Sequence, residues 1–272
     1  MDTLLHYLPI EVARKAAPYL DIAREIRIMS TGVSAVITDR ETIDLEAPVS
    51  AMQIKNTLNF ICRGAAYSSQ NTLREGFVTI EGGHRVGVCG RLSGEAMLEP
   101  SALCFRIARQ VVGAAQKIER YLGGNVLIIA PPGCGKTTML RDAARILGNR
   151  DPVCIVDERS EIAAVAHGVP QMDVGKYTCV LDGVKKSRGM LMALRSMAPK
   201  AIVTDEIGAE EDSEAIYALV NAGVGIITTV HGYSAADAAR RGRLGELLEK
   251  KIFNSIIILH RLGEIKEVVC NG

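Results

Sequence analysis

From about residue 111 the chain alternates short, wholly apolar runs with stretches whose apolar positions recur every three or four residues. The runs at 126–129, 153–156, 201–204, 225–230 and 255–259 read as strands, most of them apolar on both parities and so buried on both faces, with 264–269 as a last strand. Between them the 3.6-residue period predicts helices over 136–147, 184–197, 210–221 and 235–250. Strands that alternate with helices predict a parallel sheet covered on both faces.

The first 110 residues carry a different texture. A helical pattern over 10–20 is broken by Pro18, and Glu-Ile-Arg-Ile at 25–28 alternates as a half-buried strand does, with 34–38 as its partner. Ser50 is a candidate N-cap for a helix whose stripe is Met52, Ile54, Leu58 and Ile61, running to Arg63 and ending at Gly64. Residues 77–81 and 84–91 flank Gly82-Gly83, the pattern of a hairpin, and 104–108 reads as a further strand. The chain therefore divides into a smaller α+β domain over 1–110 and an α/β domain over 111–272.

Composition narrows the classes. A length of 272 residues fits about two domains, and 48% hydrophobic with 23% charged residues excludes a long disordered chain. Thirty-two Lys and Arg balance thirty-one Asp and Glu, which argues against a basic nucleic-acid arm or a polybasic membrane anchor. Seven cysteines without C-x-x-C spacing read as reduced thiols of a cytosol. An acid stands where a signal peptide has its basic flank and Pro9 cuts the apolar run, so no secretory signal is expected. The uncharged stretch 215–236 holds Asn221, Gly223, Gly225, His231 and Gly232, which fit a helix, a glycine turn and a buried strand better than a membrane span.

Ala130-Pro131-Pro132-Gly133-Cys134-Gly135-Lys136-Thr137-Thr138, between an apolar strand and a helical pattern, is a phosphate-binding P-loop in its proper context. Gly133 and Gly135 let the backbone N–H groups curl into an anion nest to which the helix adds its positive end. Lys136 is placed for the β and γ phosphates of ATP and Thr137 for Mg2+, while Ala130 stands where the strict pattern has its first glycine. The strand 201–204 ends in Asp205 and Glu206, the wording of a Walker B strand: Asp205 for the magnesium shell, Glu206 for the attacking water. Asp157, Glu158 and Glu161 end the strand at 153–156, with Asp157 reaching the metal through water, and His231 ends the strand at 225–230 as a phosphate-sensing imidazole.

In this order the four pieces resemble the traffic ATPases of type II and type IV secretion and type IV pilus machines, over about residues 75–260. That family's Walker A loop, Asp box, Walker B strand and His box fall here on 130–138, 157–161, 203–206 and 228–231. Arg195-Ser196-Met197-Ala198-Pro199, Asp205-Glu206-Ile207-Gly208 and Asn221-Ala222-Gly223-Val224 are most similar to the family's sporulation branch, as are Gly83-His84-Arg85-Val86-Gly87 and Phe105-Arg106-Ile107-Ala108-Arg109.

The resemblance implies a RecA-like P-loop core below an amino-terminal domain, a ring of six subunits, and ATP hydrolysis with Mg2+. It further implies a secretion-like channel complex between mother cell and forespore, reached from the mother-cell cytoplasm through membrane-protein partners, with no nucleic acid and no direct membrane insertion. In such rings an arginine of one region or subunit completes the site of another, and the candidates are Arg85, Arg91, Arg106 and Arg109. Asp157-Glu158-Arg159 departs from the family's Glu-Asp-Pro, leaving open which acid takes which role, and the four-cysteine zinc module of some pilus relatives is absent. Two other readings are a nucleic-acid-dependent P-loop ATPase, against which 4% aromatic residues and the near-neutral charge count, and a scaffold that holds nucleotide without cleaving it. Arg240-Arg241-Gly242-Arg243 is the one basic cluster, read as a solvated helix face.

Overall fold

The computed structural model describes residues 2–62, 76–93, 96–240 and 243–271. They form two compact units: Met1–Arg109 with Ala164–Gln171, and Gln110–Ala163 with Met172–Gly272.

The first unit is built on β1 (Glu25–Met29), β2 (Ala35–Ile37), β3 (Thr42–Asp44), β4 (Phe77–Thr79), β5 (Arg85–Ser93) and β6 (Ala96–Arg106). Their order is β3-β2-β1-β6-β5-β4, and every neighbouring pair is antiparallel. Period-2 alternation puts Ile26, Ile28, Val86, Val88, Leu103 and Phe105 into one core. The helices α1 (Asp2–Leu5), α2 (Ile10–Ala16) and α3 (Ala51–Cys62) add Leu4, Val12, Ile54, Leu58 and Ile61. Each such fully buried side chain stabilises the unit by about 1.5–3 kcal/mol before its ordering entropy is counted.

Ser50 caps α3 as its sequence suggests: its Oγ accepts the Gln53 N–H at 3.2 Å, and Gln53 Oε1 accepts the Ser50 N–H at 2.9 Å. Met52 is exposed, with Thr57 rather than Met52 joining the buried stripe, while Arg63 and Gly64 lie outside the described residues. The strand expected at 104–108 instead starts at Ala96 and stops at Arg106. Pro100 hides that strand from a propensity reading; it sits at a register shift, where Gly90 faces it so closely that an added Cβ would lie 2.1 Å from the Glu99 oxygen.

The second unit is a seven-stranded sheet of β7 (Val126–Ala130), β8 (Val153–Asp157), β11 (Thr178–Asp182), β12 (Ala201–Thr204), β13 (Gly225–His231), β14 (Ser255–Arg261) and β15 (Glu264–Cys270). Its order is β11-β8-β12-β13-β7-β14-β15, parallel except for β15. The short β9 (Val165–Ala166) and β10 (Val169–Pro170) form a ribbon that belongs to the first unit. β11 escapes a hydrophobic reading because it is a half-exposed edge strand.

The helices of this unit are α4 (Lys136–Gly148), α5 (Lys186–Ser196), α6 (Glu210–Asn221), α7 (Ala235–Ala239) and α8 (Leu244–Glu249). Met190, Ala193, Ile216, Leu219, Ala238 and Leu247 bury one face of the sheet against Leu127, Ile129, Val156, Ile202 and Ile226. Residues of the opposite parity, among them Ile128, Ile155, Val203 and Ile227, are buried on the other face, where α4 packs. The single helix expected over 235–250 is two short ones. Gly245 of α8 comes so close to α7 that a Cβ would lie 2.7 Å from the Ala239 oxygen, which a continuous helix does not allow.

Candidate functional site: the carboxyl edge of the parallel sheet

Parallel strands end on one edge, and the register decides which residues meet there. Thr204 lies opposite both Val156 and Thr228, and His231 lies opposite Ala130. Asp157, the Asp205-Glu206 pair, His231 and the P-loop therefore leave the sheet side by side. A crevice beyond the carboxyl ends of the strands is where open α/β sheets bind ligands.

Ala130 is the buried last residue of β7 and needs no glycine, since the left-handed backbone falls on Gly133 and Gly135, at φ of 75° and 85°. The Cys134 N–H turns back to the Pro131 oxygen at 3.4 Å, and α4 begins at Lys136 with Thr137 and Thr138 in its first turn. Pro132 and Gly133 are exposed at the loop tip. The β14–β15 turn braces the loop: the Gly263 N–H donates to the Cys134 oxygen at 3.1 Å, and Cys134 Sγ lies 3.6 Å from the His260 oxygen.

Lys136 is buried, with Nζ 2.8 Å from His231 Nδ1 and 3.7 Å from Glu206 Oε1, and His231 Nε2 also touches the Glu206 carboxylate. Burial pushes the Lys136 ammonium down, with Glu206 opposing. Thr229 fixes the start of the turn after β12: its Oγ1 accepts the Glu206 N–H at 3.1 Å and its carbonyl accepts the Ile207 N–H at 3.1 Å.

Asp157 is fully buried, and both of its oxygens are committed to the loop that follows, accepting N–H groups of Glu161, Ile162 and Ala163 at 2.8–2.9 Å. Burial raises its carboxyl to about 6, with the amides holding it back. Arg141 grips the same loop, donating to the carbonyls of Glu161 and Ile162 at 2.6 Å each. Asp157 is thus built in as a loop anchor.

Lys186 belongs to no sequence motif. At the start of α5 its buried Nζ lies 3.2 Å from Glu158 Oε2 and 3.2 Å from Asp205 Oδ1. Burial lowers its pKa, but Asp205 and Glu158 together outweigh that and hold the ammonium above its usual value. One signal was legible: Lys185-Lys186 opens a helix, where the macrodipole favours acids, so a cation there needs a carboxylate partner from elsewhere in the fold.

The four arginines all lie in the first unit. Arg85 stacks 3.9 Å over the Phe77 ring, and Arg109 donates to the carbonyls of Leu20 and Ala23 at 3.0 Å each. Arg91 and Arg106 are exposed, 3.8 Å from Glu99 and from Glu25, and Arg106 pairs across the strands with Arg85. In the basic cluster Arg243 bridges to Glu210 and Glu214, while Arg241 and Gly242 lie outside the described residues.

These residues fit a magnesium nucleotide. The positive-φ turns at Gly133 and Gly135 and the α4 N-terminus would offer backbone amides to phosphate, and the Thr137 hydroxyl and Asp205 carboxylate are the hard oxygens that would hold Mg2+ beside phosphate oxygens. Among the described residues no three His, Cys, Asp or Glu side chains cluster to hold a metal by themselves, and a cation carried on phosphates needs no such cage.

A P-loop on β7, acids after β8 and β12, and an amino-terminal α+β unit make this the RecA-like fold of secretion and pilus ATPases. Among solved structures the chain is similar to the pilus retraction motor PilT with bound ADP, at a TM-score of 0.69 and 16% identity over 92% of this chain and 78% of that one. It is also similar to the Legionella pneumophila ATPase DotB, at 0.63 and 18%, covering 92% and 76%. The family described as "Sporulation stage III, protein AA" matches residues 11–270, and the chain belongs to that family. Over 252 residues it is 37% identical to the stage III sporulation protein AA of Bacillus subtilis (strain 168), spanning 87% of this chain and 82% of that protein.

Proposed function

We propose that the chain is an ATPase that works as a ring, of six subunits, and drives a secretion-like channel complex during sporulation from the mother-cell cytoplasm, through membrane-protein partners. The observation that carries this reading is the meeting of Lys136, Glu206 and His231, residues of three separate motifs, at one point beside the P-loop. In the proposed reaction Lys136 leaves Glu206 and His231 for the β and γ phosphates, freeing Glu206 to take a proton from the attacking water. His231 then faces the terminal phosphate and reports whether it is present. Mg2+, held by Thr137 and Asp205, would neutralise charge on the phosphates. Glu158 stands next to Asp205 through Lys186, and Arg91 or Arg106 of a neighbouring subunit would complete the site. Among the described residues no helix is long and apolar enough to cross a membrane.

The test uses the Glu206→Gln protein with Mg2+ and ATP. It should retain ATP without cleaving it, and light scattering should give a mass of about six chains. Normal hydrolysis in this variant would move the water-activating role to another acid. A monomer in the presence of bound ATP would overturn the self-assembling ring.

A further inference from the structure

Two lysines, distant in sequence, divide the acids of this site. Lys136 takes Glu206, and Lys186 takes Glu158 and Asp205. The second arrangement is the more enclosed, because the Lys186 and Asp205 side chains are only 10% and 6% exposed. Among the described residues no backbone N–H or hydroxyl donates to the buried Asp205 Oδ1, so the Lys186 ammonium 3.2 Å away is the group that balances its charge. Glu158 is the freer member, 38% exposed, and also receives the Lys186 backbone N–H at 3.4 Å.

Asp205 is the carboxylate with which the proposed nucleotide site would hold a divalent cation. Ammonium and metal are both cations and compete for the same oxygen. We propose that Lys186 is the resident counter-ion of this acid pair: it holds Asp205 and Glu158 while the site is empty and yields Asp205 to a divalent cation that arrives on phosphates. A bare cation meets carboxylates that already carry a positive charge, whereas one bound to a nucleotide brings compensating negative charge with it. Lys186 then swings with Glu158, the partner with room to move. The consequence is that the metal binds with the nucleotide or after it, and not before it. This inference rests on the nucleotide site proposed above.

The experiment measures Mn2+ binding to the full chain without nucleotide, from the electron paramagnetic resonance signal of free Mn2+. Wild type and Lys186→Arg, which keeps the charge, should bind weakly. Lys186→Met, which keeps the length of the side chain and loses the charge, should bind at least about tenfold tighter. Equal or weaker binding by Lys186→Met overturns the proposal, and a circular dichroism spectrum checks that the variant is folded.

If removing the ammonium unfolds the chain, the wild type still decides. Acylation of Lys186 by an amine reagent, read by peptide mass spectrometry, should rise severalfold when Mn2+ is added to the ADP-bound protein, and an unchanged yield overturns the proposal. ADP binding is measured in the same samples. A chain that binds ADP but shows no effect of Lys186 on the metal overturns this inference alone, whereas one that binds no ADP overturns the nucleotide site beneath it.

Discussion

His84 should make the first unit lose stability in mild acid, and the size of the loss follows from its setting. The ring is buried behind the Gly82-Gly83 turn, and its Nδ1 accepts the Ala108 N–H at 3.1 Å. Gly82 permits this approach, since at φ +80° a Cβ there would sit 2.7 Å from His84 Nε2. A proton on Nδ1 would remove the acceptor and leave a charge in the core, and burial accordingly pushes the pKa from 6.5 to about 4.

Because the folded value lies below the unfolded one, the unfolded chain takes up the proton first. The stabilisation is complete above pH 6.5 and is lost as pH falls from 6.5 towards 4. At about 1.4 kcal/mol per unit the whole interval is worth about 3 kcal/mol, of which about 2 kcal/mol is gone by about pH 5. Urea unfolding followed by circular dichroism at about pH 7.5 and pH 5 should show this difference. In His84→Asn an amide oxygen takes the place of Nδ1 and cannot titrate, so comparing the two proteins cancels the other titrating groups. An Asn variant that loses as much stability as wild type over that interval would refute the reasoning.

Other expectations concern the loop and the sheet. Lys136→Ala should lower ATP affinity by at least about tenfold, because the charge meant for phosphate is removed; unchanged affinity in a titration calorimeter would show that the loop does not bind phosphate through this lysine. A bulky thiol reagent on the half-buried Cys134 should block nucleotide binding, with ATP protecting, and equal inhibition of Cys134→Ser would put the sensitive thiol elsewhere. Gly90→Ala should cost about 1–3 kcal/mol, since its Cβ meets backbone that must shift, and an unchanged melting midpoint would mean the β5–β6 bulge yields without cost.

Local chemistry made much of this protein legible. Five buried strands announced themselves because both faces are covered, so nearly every position is apolar. Gly133, Gly135 and Lys136 could be placed because the left-handed turn and the helix start depend on neighbours in the chain. The acids and His231 are legible as strand ends for the same reason. Properties that depend on distant chain were not readable: β11 as a half-exposed edge, the first turns of β6 around Pro100, the break between α7 and α8, and the assignment of Ala164–Gln171 to the first unit.

The parallel core, the P-loop and the set of residues at the sheet's carboxyl edge are legible in the chain alone, because periodicity and turn chemistry are local. Who neutralises whom is a property of the folded molecule: Asp157 is turned into its own loop, Lys136 rests on His231 and Glu206, and Lys186 joins Glu158 to Asp205. Charge pairing acts over a few ångströms in space between residues tens of positions apart, and the strand order brings those residues together.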